Sequence, residues 1–126
     1  MRTKLKDKSK FLQSVGHCID GLGYTLEHER NFRIEMAIGI IVLIASFFFN
    51  LATWEYIVVL LLICFVLILE LLNTALERVV DLYTLEKHPL AKAVKDIASA
   101  SVLVISFFSA IIGFLIFIPK IINMIR

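Results

Sequence analysis

Three stretches of this chain carry no charged side chain: Met36–Trp54 over 19 residues, Tyr56–Leu69 over 14 and Ile97–Ile118 over 22. A helix that crosses a bilayer needs about 20 apolar residues, because the hydrocarbon core is about 30 Å thick. The first and third stretches reach that length alone. The second reaches it only if its helix runs on through Glu70, which then sits inside the membrane or at its edge. Composition agrees, with 60% of the 126 residues hydrophobic, 19% charged and a mean hydropathy of +0.89. A water-soluble domain of this size has too little interior to cover so much apolar surface. A net charge of +2 also offers no footprint for nucleic acid. The expectation is an all-α integral membrane protein, a single domain with spans at about 34–53, 55–82 and 91–118.

The N-terminal region is basic, with Arg2, Lys4, Lys6, Lys8, Lys10, Arg30 and Arg33. No apolar run follows at the distance a signal peptide requires. Instead Phe11, Val15, Cys18, Ile19, Leu22 and Leu26 recur at steps of mostly three and four, which predicts an amphipathic helix over about 8–28. Such a helix lies on the membrane surface or packs on other protein. The loop from Arg78 to Lys95 holds four basic residues, whereas the Asn50–Glu55 turn holds none. Positive charge collects on the cytoplasmic side. The N-terminus and the second loop are therefore expected inside a bacterial plasma membrane, and the short turn and the C-terminus outside. Pro89 ends the helical pattern between the second and third spans. Cys18 and Cys64 form neither a disulfide framework nor a metal-ligand spacing.

Glu70 stands 15 residues beyond Glu55, about 22 Å along a helix from the outer interface. That depth falls within the inner leaflet, where an ionisable side chain is costly and points to function. Steps of three, four and four place Asn73, Glu77 and Asp81 on the same helical face as Glu70. A polar seam that joins helices is the plain alternative. Two further clusters share this depth: His28 and Glu29 with Arg33 and Glu35, and Lys92, Lys95, Asp96 and Ser99. Converged in a bundle, they supply the parts for phosphoryl transfer. Carboxylates hold Mg²⁺ on nucleotide phosphates, lysines stabilise phosphate charge, and a carboxylate at headgroup depth takes a proton from a lipid hydroxyl. There is no Walker A motif, and Gly21-Leu-Gly23 is too short for a phosphate loop.

The run Glu70-Leu-Leu-Asn-Thr-Ala-Leu-Glu-Arg-Val-Val-Asp81, followed by Lys95-Asp96-Ile-Ala-Ser99, resembles the signature of the small prokaryotic integral-membrane diacylglycerol kinases, a family that includes undecaprenol kinases. The resemblance runs from about Lys10 to Ile118. The stretch Thr84-Leu-Glu-Lys-His-Pro-Leu-Ala-Lys92 and the Phe-Ile-Pro-Lys120 tail look more like the Gram-positive branch. The resemblance implies one surface helix and three spanning helices per chain in a homotrimer, with active sites shared between subunits. It implies that Glu70 is the catalytic base, and that Asn73, Ser99, Arg33 and Glu35 lie with it at the lipid substrate. Glu29 and Glu77 match the carboxylates on the metal. Lys10, His17, Glu86, Lys87, His88, Lys95 and Asp96, together with Glu29 and Glu77, match positions at the nucleotide.

These readings lead to an ATP- and Mg²⁺-dependent kinase for a membrane lipid alcohol, with undecaprenol preferred over diacylglycerol. The alternative from another class is a non-enzymatic channel or proton-path subunit using Glu70. Such a path should continue outward through polar residues, and between Tyr56 and Leu69 nothing is more polar than Cys64.

Overall fold

The computed structural model describes residues 2–126, with side chains from Asp7 onward. The side chains of Arg2, Lys4 and Lys6, part of the basic N-terminal count, lie outside the described residues. The described chain is helical in four pieces: α1 (Arg2–His28), α2 (Arg30–Phe48), α3 (Thr53–Tyr83) and α4 (Pro89–Ile125). It divides into two compact units, residues 1–30 and 31–126.

The first unit is α1. It begins before residue 8 and leaves Phe11, Val15, Ile19, Leu22 and Leu26 exposed. Gly21 and Gly23 are helical rather than part of a loop. The hydroxyls of Ser14 and Thr25 donate to the carbonyls four residues back, at 3.0 and 2.9 Å. The His28 ring stacks on Tyr24 with centroids 4.1 Å apart.

The second unit holds three helices, each long and apolar enough to cross a membrane. At 31 and 37 residues, α3 and α4 exceed the hydrocarbon thickness and project beyond it. Their ends follow from local chemistry. Asn50 adopts φ 51°, a left-handed conformation that asparagine tolerates better than most residues. The Asn50 amide then donates to the Phe47 carbonyl and the Leu51 amide to that of Ser46, closing α2 with a Schellman motif. Leu51 is buried in the apolar cluster at this end, against Val59 and Ile116. At the start of α3, Glu55 accepts from the Ala52 amide at 2.9 Å, satisfying a free N–H of the helix terminus. Tyr56 donates its hydroxyl to the Ser46 carbonyl at 2.8 Å and so ties α3 to α2. At the other end His88 caps α4: its Nδ1 accepts from the Leu90 amide at 3.1 Å, and Pro89 occupies the first turn, where no N–H is missed.

The packing of α3 against α4 is the most extensive in the chain. Two ion pairs set its antiparallel register. Lys95 Nζ meets Asp81 Oδ1 at 2.7 Å, and both residues stand seven positions from His88. Lys120 Nζ meets Glu55 Oε1 at 2.9 Å, where the two stand 32 and 33 positions from it. α4 passes through Pro119 without ending. Elsewhere large apolar side chains face outward along all three helices, including Ile41, Phe47, Leu61, Phe107 and Leu115. This is the distribution of a protein whose surroundings are apolar.

α2 approaches α3 closely at Gly39, where an added Cβ would lie 3.0 Å from Ile63 Cγ2. Small residues allow such approaches between membrane helices. Gly39→Val is therefore expected to destabilise the protein by about 1–3 kcal/mol through overpacking. Thermal unfolding in detergent checks this, and an unchanged midpoint would refute the close contact.

Candidate functional site

Three buried polar residues, Glu70, Asn73 and Thr74, lie together on one face of α3. Glu70 is 2% exposed, Thr74 4% and Asn73 8%, while Glu77 and Asp81 are half-buried farther along. A carboxylate this deep carries a large desolvation cost, so its presence calls for a use. Glu35, half-buried on α2, lies within electrostatic range of Glu70. Asn73 Nδ2 donates to Glu77 Oε1 at 3.4 Å, a long bond between side chains one turn apart. The face thus runs from a buried acid to half-buried acids that solvent can reach.

Two recesses flank it. An apolar groove of about 360 Å³ lies between Leu69, Leu72 and Leu76 of α3 and Val94, Ile97 and Ala98 of α4, with Asn73 and Ser101 its polar edges. A cleft of about 670 Å³ lies around the loop between these helices, where Asp81, Glu86, Lys87, His88, Lys92, Lys95 and Asp96 line it. One recess suits an apolar chain; the other mixes three lysines with three carboxylates.

The structure gathers Glu70, Asn73, Glu77 and Glu35 around one region, and Glu86, Lys87, His88, Lys95 and Asp96 around the cleft. Within the cleft Lys92 pairs with Asp96 and Lys95 with Asp81. Ser99 and Arg33 are exposed, and neither recess includes them. Lys10 and His17 are exposed on α1, and Glu29, half-buried, follows α1 with its amide donating to the Thr25 carbonyl; these three belong to the first unit. Among the described residues no three His, Cys, Asp or Glu side chains gather into a metal cage.

Sequence reasoning missed Asp81 as the partner of Lys95, and it missed Thr74. Spacing alone did not mark them: Asp81 and Lys95 are symmetric about His88 and Thr74 stands four residues after Glu70, but which groups pair depends on how the helices meet.

Residues 16–117 match the family described as prokaryotic diacylglycerol kinase, a span that covers both recesses and the whole acidic face. The chain belongs to that family. Among relatives of this kinase family, an undecaprenol kinase of Bacillus subtilis (strain 168) is 46% identical over 112 residues, 89% of this chain and 91% of that one. A diacylglycerol kinase of Synechocystis is 39% identical over 114 residues, 90% of this chain and 65% of that one. A diacylglycerol kinase of Pseudomonas aeruginosa is 30% identical over 92 residues, 73% and 75% of the two chains. Membership in a kinase family removes the channel and proton-path reading. The acidic face of α3 lies within the stretch that matches this family.

Proposed function

We propose that this protein is an ATP-dependent kinase of the bacterial plasma membrane that phosphorylates a lipid alcohol, with undecaprenol as substrate. The observation that carries the proposal is Glu70, 2% exposed on the same helical face as half-buried acids; the loop charges favour its lying in the inner leaflet. A base there meets a hydroxyl anchored in the bilayer, while the cleft beyond it meets a nucleotide from solution.

In the proposed reaction Glu70 takes the proton of the lipid hydroxyl. The lipid oxygen forms a bond to the γ-phosphorus of ATP, the bond from that phosphorus to the β,γ-bridging oxygen breaks, and ADP leaves with the electron pair. No phospho-enzyme is required. Lys95 and the cleft residues Glu86, Lys87, His88 and Asp96 hold the nucleotide, and Lys10 and His17 of α1 are assigned to the nucleotide as well. The donor set fits magnesium. Glu29 and Glu77 offer hard carboxylate oxygens, and Mg²⁺ on a nucleotide takes only one or two of these beside phosphate. Bound there, the metal would neutralise charge on the phosphates. Asn73, Ser99, Arg33 and Glu35 are assigned to the lipid headgroup.

A homotrimer whose sites are completed across subunits is part of this proposal, and the exposure of Ser99 leaves that residue open to a neighbouring subunit. The exposed stripe of α1, flanked by lysines, supports its lying on the cytoplasmic membrane surface. The loop charges support a cytoplasmic N-terminus and an outer C-terminus. The 46% identity to an undecaprenol kinase favours that substrate, and relatives named diacylglycerol kinases keep diacylglycerol as the second reading. Supplied with ATP and equal amounts of both lipids, the purified protein is expected to label undecaprenol first. Preferential labelling of diacylglycerol would overturn that choice.

A further inference from the structure

Among the described residues, four buried polar atoms lack a hydrogen-bond partner: Glu35 Oε2, Asn73 Oδ1, Thr74 Oγ1 and Ser109 Oγ. Two of these, on Asn73 and Thr74, sit on the turn of α3 that follows Glu70, and a third belongs to Glu35, within electrostatic range of Glu70. Thr74 departs from habit. A helical serine or threonine commonly returns its hydroxyl to the carbonyl four residues back, as Ser14, Thr25 and Ser46 do in this chain at 2.8–3.0 Å. For Thr74 that acceptor would be the Glu70 carbonyl, and the bond is not made. The hydroxyl is buried, 4% exposed as a residue, and carries an unused donor.

The unused atoms differ in what they can do. Asn73 gives one of its two amide N–H groups to Glu77, and its atom without a partner is the acceptor oxygen. An ionised Glu35 or Glu70 offers only acceptors. Of the three unpartnered atoms on Glu35, Asn73 and Thr74, the Thr74 hydroxyl is the one that carries a proton to donate. An alcohol oxygen that loses its proton to a carboxylate needs a donor as its negative charge develops. Residues four apart on a helix are neighbours on its surface, so a hydroxyl at 74 and a carboxylate at 70 can reach the same oxygen.

We infer that Thr74 contacts the lipid alcohol directly, its hydroxyl donating to the alcohol oxygen while Glu70 accepts the alcohol's proton. Thr74 keeps its own proton throughout, so the balance of the transfer is unchanged. The inference rests on the lipid-kinase reading.

The test compares Thr74→Val, which keeps the shape and removes the hydroxyl, with Thr74→Ser, which restores it. For undecaprenol, Thr74→Val is expected to lower kcat/KM about tenfold, the scale of one hydrogen bond. The KM for ATP should hold, and Thr74→Ser should recover most of the loss. The thermal midpoint of Thr74→Val in detergent should hold or rise, because an unpartnered buried hydroxyl has been removed. If Thr74→Val matched the wild type in lipid kcat/KM, the inference would fail while the kinase reading stood. If the wild type phosphorylated no lipid alcohol, both would fail. Should Thr74→Val not assemble, Thr74→Ala against Thr74→Ser makes the same comparison.

Discussion

Replacing Glu70 by Gln should lower lipid phosphorylation about 10³-fold, the middle of the range for losing a general base. Gln keeps the length and branching of the side chain and one acceptor oxygen, so packing at this buried position survives. What it loses is the ability to hold a proton at the alcohol oxygen. Glu70 is buried, so the substitution changes charge at this position and leaves shape in place. The variant should therefore fold with a midpoint close to the wild type's. Turnover with saturating ATP and lipid, read beside thermal unfolding, separates the two effects. Near-normal turnover would remove Glu70 from the role of base.

The second large effect is expected at Glu77. It is half-buried, and its Oε1 accepts from Asn73 at 3.4 Å. Glu77→Gln preserves that acceptor but removes the negative charge offered to a divalent cation. The kcat/KM for Mg·ATP should fall about 10²-fold, the scale of a lost metal contact on a phosphoryl group. The KM for lipid should hold, and added Mg²⁺ should recover part of the loss. A variant whose activity depends on Mg²⁺ as the wild type's does would show that Glu77 holds no metal. These two outcomes are independent, because one concerns a proton and the other a cation.

How legible all this was in the sequence depends on which interaction decides each feature. The three spans were legible because lipid exposure demands uninterrupted apolar residues, and charge-free runs such as Ile97–Ile118 have no other common use. The end of α4 was less so. Pro119 suggests a stop, yet the helix continues to Ile125. Proline removes one hydrogen bond near the end of a long helix, and the neighbouring bonds persist. Lys120 read as a charge in the tail, whereas it reaches back to Glu55 at 2.9 Å. That pairing depends on the register of two helices meeting across a loop, which hydropathy does not encode.

The acidic face was legible because Glu70, Asn73, Glu77 and Asp81 repeat at helical spacing within or beside an apolar segment. The partners across the helix pair were not. Lys92, Lys95 and Asp96 read as one cluster at the start of the last span, but Lys92 takes Asp96 and Lys95 crosses to Asp81. Thr74 was passed over because a threonine among apolar residues is ordinary. Only the absent bond to the Glu70 carbonyl sets it apart, and that is a property of coordinates alone.

The most direct measurement is the transfer of labelled γ-phosphate from Mg·ATP to lipid by the purified wild-type protein in mixed micelles. The expected result is a phosphorylated lipid alcohol that forms in step with ADP and disappears in the Glu70→Gln control. ATP consumption without labelled lipid, or no transfer to any lipid alcohol offered, would contradict the assignment of this membrane protein as a lipid kinase.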